Sequence, residues 1–271
     1  MKKLFILTLA ALGMLACKDS NSPDTPVASK DGVLPGTFTV SETKKVKFSQ
    51  GNLQATTTDL GEHWTWSFAA NQWDYPSIRS ANCAINGNGS VSTNGTVDLF
   101  GWSTAATYYG INNSNRVNDY SGDFVDWGNN MSDGWRTLSY EEWYYLLWTH
   151  MLGQATVNGV HGLIILPNEW TTPRGLSFTE NPNNWTDNQY TVAEWRKMES
   201  SGAVFLPAAG GRGGSSLCCT SARGRYWSST PYTPYYVYGA NAIDFGENYA
   251  DAGDGEYCWY GWSVRLVKDV Q

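Results

Sequence analysis

Arg225-Tyr226-Trp227-Ser228-Ser229-Thr230 and, further on, Gly261-Trp262-Ser263-Val264-Arg265-Leu266-Val267 are the stretches on which the reading of this chain turns. Both read as strands, and they frame an unusual insert. From Tyr226 to Trp262, 37 residues carry eight of the 16 tyrosines, three tryptophans and five carboxylates, with no Lys or Arg. Tyr and Trp give large, rigid, amphipathic area and freeze few torsions on contact. The insert therefore reads as a contact surface presented between two scaffold strands.

At the other end, Met1-Lys2-Lys3 is basic and Leu4 to Leu12 is an apolar run too short to span a bilayer comfortably. Leu15-Ala16-Cys17 then sets a small residue directly before a cysteine. The pattern is that of a secretory signal over residues 1–16, and the tripeptide resembles the lipobox of bacterial lipoproteins. That resemblance implies cleavage before Cys17, lipidation of its sulfur with further acyl chains such as palmitate, and a membrane anchor on the bacterial cell envelope. The outer membrane is expected, with the protein surface-exposed. Residues 17–35 are rich in Ser, Asp, Pro and Lys and lack aromatics. They bury too little to offset ordering entropy and read as a flexible tether. A coil of that length holds the domain on the order of 25 Å from its anchor.

Residues 36–271 are expected to form one domain, because no Pro/Ser linker or charge run interrupts Thr37 to Val267. Charged residues are only 16% of the chain while Gly numbers 28 and Trp 14, which points to many short strands and long ordered loops. The net charge of −7 and the absence of a Lys/Arg stripe argue against nucleic acid as a partner. Beyond Cys17 the cysteines are Cys83, Cys218, Cys219 and Cys258. One or two disulfides are plausible after export, with the connectivity open. A bond between Cys218 and Cys219 would strain the peptide joining them, so separate partners or free thiols are expected.

Strands are expected at Thr37 to Ser41, Lys45 to Phe48 and Trp64 to Phe68, and loops over Asn82 to Gly101 and Tyr108 to Trp127. Two capping boxes, Ser139-x-x-Glu142 and Thr191-x-x-Glu194, each open a helix, the second ending near Gly202. An apolar run comes after each helix, Leu163 to Leu166 and Ala203 to Leu206. The class is α+β, with antiparallel sheets, two helices and long ordered loops. Trp64, Trp66, Trp143, Trp148 and Trp195 are assigned to the core, and Trp259 is a ligand candidate. His63, His150 and His161 are scattered, without a zinc pair or a nucleophile elbow. Gly210 to Ser216 lacks the Gly-Lys ending of a phosphate loop and reads as a sharp turn beside Cys218.

Taken together, Gly134-Trp135-Arg136-Thr137-Leu138, Gly202-Ala203-Val204-Phe205-Leu206-Pro207-Ala208-Ala209-Gly210 and the two framing stretches resemble surface proteins of Bacteroidetes and Fibrobacter with a C-type lectin-like fold. The major paralogous domain proteins are of this type. The frame is also similar to variable proteins of diversity-generating retroelements and, distantly, to formylglycine-generating enzymes. The resemblance implies that the terminal strands of the domain pair, and that Pro231 to Trp262 is the ligand face. It implies a protein or carbohydrate ligand, or adhesion, through Tyr232, Tyr235, Tyr236, Tyr238, Asn241, Asp244, Asn248, Tyr249, Asp251, Asp254, Tyr257, Trp259 and Tyr260, with Trp227 and Val264 in the core. The binding region is read as either fixed or diversified by a retroelement. The calcium motifs of metal-dependent lectins are absent, so neither metal nor cofactor is expected, and the acidic turn Asp251 to Glu256 is taken as solvated. Two alternatives stand beside this reading. One is an oxidoreductase of the formylglycine-generating kind, resting on Cys218 and Cys219; the other is a structural envelope protein without a specific ligand.

Overall fold

The computed structural model describes residues 28–75, 93–102, 110–111, 123–131, 134–180, 184–213, 216–232 and 239–270. Cys17, Cys83, Tyr235, Tyr236 and Tyr238 lie outside these residues. Strands β1 (Phe38–Thr39), β2 (Lys45–Phe48), β3 (Leu53–Thr57), β4 (Thr65–Phe68) and β5 (Gly95–Val97) come first. β6 (Trp135–Thr137) leads into α1 (Tyr140–Thr149), and β7 (Leu152–Val157), β8 (Val160–Ile165) and β9 (Gln189–Tyr190) lead into α2 (Val192–Ser200). The remaining strands are β10 (Val204–Pro207), β11 (Gly211–Gly213), β12 (Ser216–Cys218), β13 (Gly224–Tyr232), β14 (Gly239–Gly246), β15 (Tyr249–Tyr257), β16 (Tyr260–Gly261) and β17 (Leu266–Asp269). Apart from the parallel β7–β9 pair, the ladders between these strands are antiparallel, and the arrangement is α+β. Among the described residues no helix is long and apolar enough to cross a membrane.

The last strand closes on an early one. β17 lies between β2 and β6, with Val267 opposite Phe48 and Leu266 opposite Thr137. Residues before the expected boundary at 36 already take part in the fold. Val33 bridges Ser49 and Leu34 is buried in the main core cluster, so the last residues of the predicted tether are part of the body. Two apolar residues in a polar stretch are too weak a compositional signal to place such a boundary.

Both capping boxes form. Ser139 Oγ accepts from the Glu142 amide at 3.2 Å while Glu142 accepts from the Ser139 amide at 2.9 Å. Thr191 and Glu194 repeat the pattern at 3.4 and 2.9 Å. The apolar runs after the helices pair with one another, Val204 opposite Ile165 and Leu206 opposite Leu163. Their continuous hydrophobicity has a geometric cause, since alternate residues serve opposite faces. Leu163, Ile165, Val204 and Leu206 pack in the cluster with Trp143 and Leu146 of α1, whereas Ile164 and Phe205 pack with Trp195 and Met198 of α2.

A buried polar network joins the frame stretches. Arg265 donates to Gln72 Oε1 at 2.8 Å and to Asn52 Oδ1 at 3.3 Å. Gln72 in turn donates to Glu199 at 2.9 Å, and Glu199 pairs with Arg196 at 2.6 Å. Asn52 donates to the Tyr226 hydroxyl, which donates to the Pro207 carbonyl. Burial pulls the Arg265 guanidinium down to about 10, still protonated at neutral pH.

The tryptophans divide. Trp143 and Trp195 are buried and Trp64 and Trp66 half-buried, but Trp148 is 71% exposed. At 100° per residue, Trp148 sits 140° around α1 from Trp143 and cannot share its core-facing side. It falls in line with Tyr140 and Tyr144 instead.

Candidate functional site

The region expected as a presented loop, Pro231 to Trp262, is largely regular structure. β13, β14 and β15 form a three-stranded sheet with β14 in the centre and buried along its whole length. Ala240 and Ala242 pack around Trp227, while Ile243 and Phe245 join the main cluster on the other side. Trp227 and Val264 are core, as the resemblance implied.

Two expected contact residues lie on this central strand and are buried. Asn241 donates to the Pro231 carbonyl at 3.1 Å and so ties β14 to β13. Asp244 accepts from Arg223 Nε at 2.6 Å, from the Tyr249 hydroxyl at 3.2 Å and from Arg225 at 3.4 Å. The insert's lack of basic residues is therefore compensated from just outside it, because the two arginines that serve β14 sit at the start of β13 and just before it. Arg225 lies directly opposite Asp244 in the ladder, pairs also with Glu256 of β15, and stacks over the Trp262 ring at 4.6 Å. Counting charges between Tyr226 and Trp262 misses these partners by a few residues.

The other described contact residues separate into two groups at opposite ends of the sheet. Asn248, Tyr249 and Asp251 surround the β14–β15 turn, where Gly246 pairs with Tyr249. Tyr232, Tyr257, Trp259 and Tyr260 gather at the far end, where Gly239 pairs with both Tyr232 and Tyr257. The eight steps from Tyr249 to Tyr257 span about 26 Å at roughly 3.3 Å each. Asp254 lies in β15 opposite Ala242; its side chain is outside the described residues.

At the far end the rings form a continuous path from core to surface. Trp227 contacts Trp262 at 6.2 Å between centroids, Trp262 contacts Tyr260 at 5.6 Å, and Tyr260 contacts Tyr257 at 6.2 Å. Tyr257 and Trp259 are stacked at 4.2 Å and 15°. Tyr257, Trp259 and Tyr260 are each half-exposed. Beside them is a depression of about 360 Å³ lined by Arg212, Gly213, Ser216, Cys218, Arg225, Glu256, Tyr260 and Trp262. Within the glycine-rich stretch read as a sharp turn, Gly211–Gly213 form β11, paired with both β12 and β16, and Gly214 and Ser215 lie outside the described residues. Gly211 is required there because the Trp262 ring occupies the space a β-carbon would need.

Cys218 and Cys219 are exposed free thiols and Cys258 is a buried one; among the described residues there is no disulfide. Cys219 adopts a φ of 59°, which supplies the bend an extended strand would lack. Burial and the neighbouring Cys219 thiol push the Cys218 thiol up, and burial pushes Cys258 up to about 12. His150 terminates α1, its two ring nitrogens 2.9 Å from the Leu166 carbonyl and 3.0 Å from the Thr39 carbonyl. His161 stacks on Trp185. His63 pairs with Asp59 at 2.7 Å, and with Glu62 they form an exposed group whose ligand-type atoms lie within 4.8 Å of one another. The His63 amide and ring hold the Asp59 carboxyl near 2, and the carboxylate raises the imidazole.

Sequence reading missed the outer face of α1, where Tyr140, Tyr144 and Trp148 form a row beside the β14–β15 turn. Their spacing of four residues was the available signal. Comparison of the chain with family models, with curated proteins and with solved structures finds no match.

Proposed function

We propose that this chain is a surface lipoprotein of C-type lectin-like type, anchored through Cys17, that binds a protein or glycan ligand and performs no chemistry. The observation that carries the reading is the ring path ending in half-exposed Tyr257, Trp259 and Tyr260. Rings already stacked on one another lose little freedom on binding, which favours their use as anchors. The Arg225–Glu256 pair at the edge of the depression adds fixed charge for specificity. Pairing of β2 with β17 and the presence of two helices support the lectin-like frame. A Cys218 thiol pushed up rather than down argues against a nucleophilic role for it.

The test uses the mature chain on glycan and protein arrays, with a Trp259→Ala/Tyr260→Ala variant. Each anchor is expected to contribute about 2 kcal/mol, so the double variant loses the wild-type ligand while its thermal midpoint shows a retained fold. A folded double variant with unchanged affinity for every ligand that wild type binds on the two arrays, or a wild-type chain that binds nothing on either array, overturns the reading. Anchoring is checked separately. A Cys17→Ser variant that still incorporates an alkyne-labelled fatty acid would remove the lipoprotein assignment.

A further inference from the structure

α1 presents two unlike faces. Glu142, Trp143 and Leu146 are buried, while Tyr140, Tyr144 and Trp148 line up outside with ring centroids 6.0 and 5.7 Å apart. Tyr144 is 45% and Trp148 71% exposed. Exposing aromatic rings in a row forgoes the burial free energy that Trp143 gains on the same helix, and nothing in the helix's own geometry calls for it.

At the Trp148 end of this row, between α1 and the β14–β15 turn, lies a groove of about 530 Å³, within the usual range for small-ligand clefts, and Trp148 and Tyr249 are the aromatic side chains that line it. Its floor includes Leu147, Leu152, Ala250 and Ala252, yet most of its lining is polar. Gln154 is the informative side chain. It is only 5% exposed, its Nε2 donates to the Tyr249 carbonyl at 3.1 Å, and among the described residues no donor reaches its Oε1. An amide oxygen beside a groove, held in place by its own nitrogen, is available to a donor from outside. Asp251 uses one carboxylate oxygen on the Ala252 amide at 2.7 Å, and Glu180 and Asn248 complete the polar wall.

These features select the ligand by chemistry. Aromatic faces suit the C–H faces of pyranose rings, and carboxylates and amides accept hydroxyl protons. Among the described residues no Lys or Arg lines the groove, and His150, which does, turns both ring nitrogens to the Leu166 and Thr39 carbonyls, so an anionic ligand would chiefly meet two carboxylates. An apolar peptide face would leave Gln154, Asn248, Glu180 and Asp251 desolvated and unpaired. The two exposed rings of the row, Tyr144 and Trp148, are tilted by 37° to each other, so a flat crystalline face cannot rest on both, whereas a chain that turns between successive sugars can.

We propose that the groove between α1 and the β14–β15 turn is a second binding site, distinct from the aromatic end of the sheet, that takes a neutral, soluble oligosaccharide. The probes are maltohexaose, mannohexaose and cellohexaose, with hexagalacturonate as the anionic control and microcrystalline cellulose as the flat one. Calorimetry and tryptophan fluorescence on the mature chain are expected to show binding of at least one neutral hexasaccharide and neither control. Trp148→Ala and Gln154→Leu each weaken that binding by about tenfold or more. Trp148→Ala keeps the wild-type thermal midpoint because its side chain is exposed, which separates loss of site from loss of fold. The Trp259→Ala/Tyr260→Ala variant retains the sugar. The proposal is overturned by no binding of any neutral probe, by preference for hexagalacturonate, or by a Trp148→Ala chain with unchanged affinity. Loss of the sugar in the Trp259→Ala/Tyr260→Ala variant alone would also overturn it and would assign the sugar to the aromatic end.

Discussion

β14 and β15 are neighbours in one sheet, both drawn from the segment whose composition suggested a single contact surface, and they have opposite fates. β14 is buried at all eight positions, whereas β15 carries exposed Tyr249 and Asp251 at one end and half-exposed Tyr257 at the other. The difference is position in the sheet. A central strand is paired on both edges and here covered on both faces, while among the described residues β15 pairs in the sheet only with β14. The same residue types, Asp244 on one strand and Asp251 on the next, therefore become a structural ion pair and a groove wall.

That comparison can be broken most sharply at Asp244. Asp244→Ala removes the shared partner of Arg223 and Arg225, and unfolding by urea is expected to show a loss of about 3 kcal/mol. Arg225 keeps Glu256 and Arg223 is partly exposed, which holds the cost at the low end for a broken buried pair. A loss below about 0.5 kcal/mol would return Asp244 to the contact residues. Asn241→Ala is expected next, at about 1–2 kcal/mol, because it leaves the Pro231 carbonyl without its donor. The same denaturation series checks it.

Asp251→Ala, one strand over, is expected to change stability by less than about 0.5 kcal/mol while weakening any ligand held in the α1 groove. A large stability loss there would mean that β15 is as structural as β14. The smallest effect belongs to the exposed His63–Asp59 pair, a solvent-side counterpart of Asp244. The raised His63 contributes below its ordinary value of 6.5 and loses that contribution as pH rises through its folded value. The lowered Asp59 contributes above its ordinary 3.8 and loses that contribution as pH falls towards 2. The pair is thus most stabilising between pH 3.8 and 6.5, and only slightly so because water screens it. A His63→Gln variant is expected to match wild type at pH 9 and to melt slightly lower at pH 5. Identical curves at both values would show that the pair contributes nothing measurable.

Local chemistry accounts for what was legible beforehand. Capping boxes act within four residues, so Ser139 and Thr191 could be placed as helix starts from their neighbours alone. The apolar runs after the helices and the strand character of Tyr226 to Thr230 belong to the same class, whereas the burial of Trp227 was implied by the resemblance. Trp148 was misassigned because aromatic residues were counted without their angular position on α1. Asn241 and Asp244 are buried where contact was expected, because burial depends on which strand becomes central.

By itself, then, the amino-acid sequence determined where α1 and α2 begin, that Lys45–Phe48, the apolar runs after the helices and Tyr226–Thr230 carry strands, and that the class is α+β, since each rests on residues within a turn or a strand of one another. Tertiary structure alone decided that Arg223 and Arg225 neutralise Asp244, that Arg265 reaches Asn52 and Gln72 across the chain, and that Trp148 stands beside Tyr249 on one groove. Those pairings join residues up to 213 positions apart. Strand order and sheet register bring them together, and neither quantity is carried by any local pattern of residues.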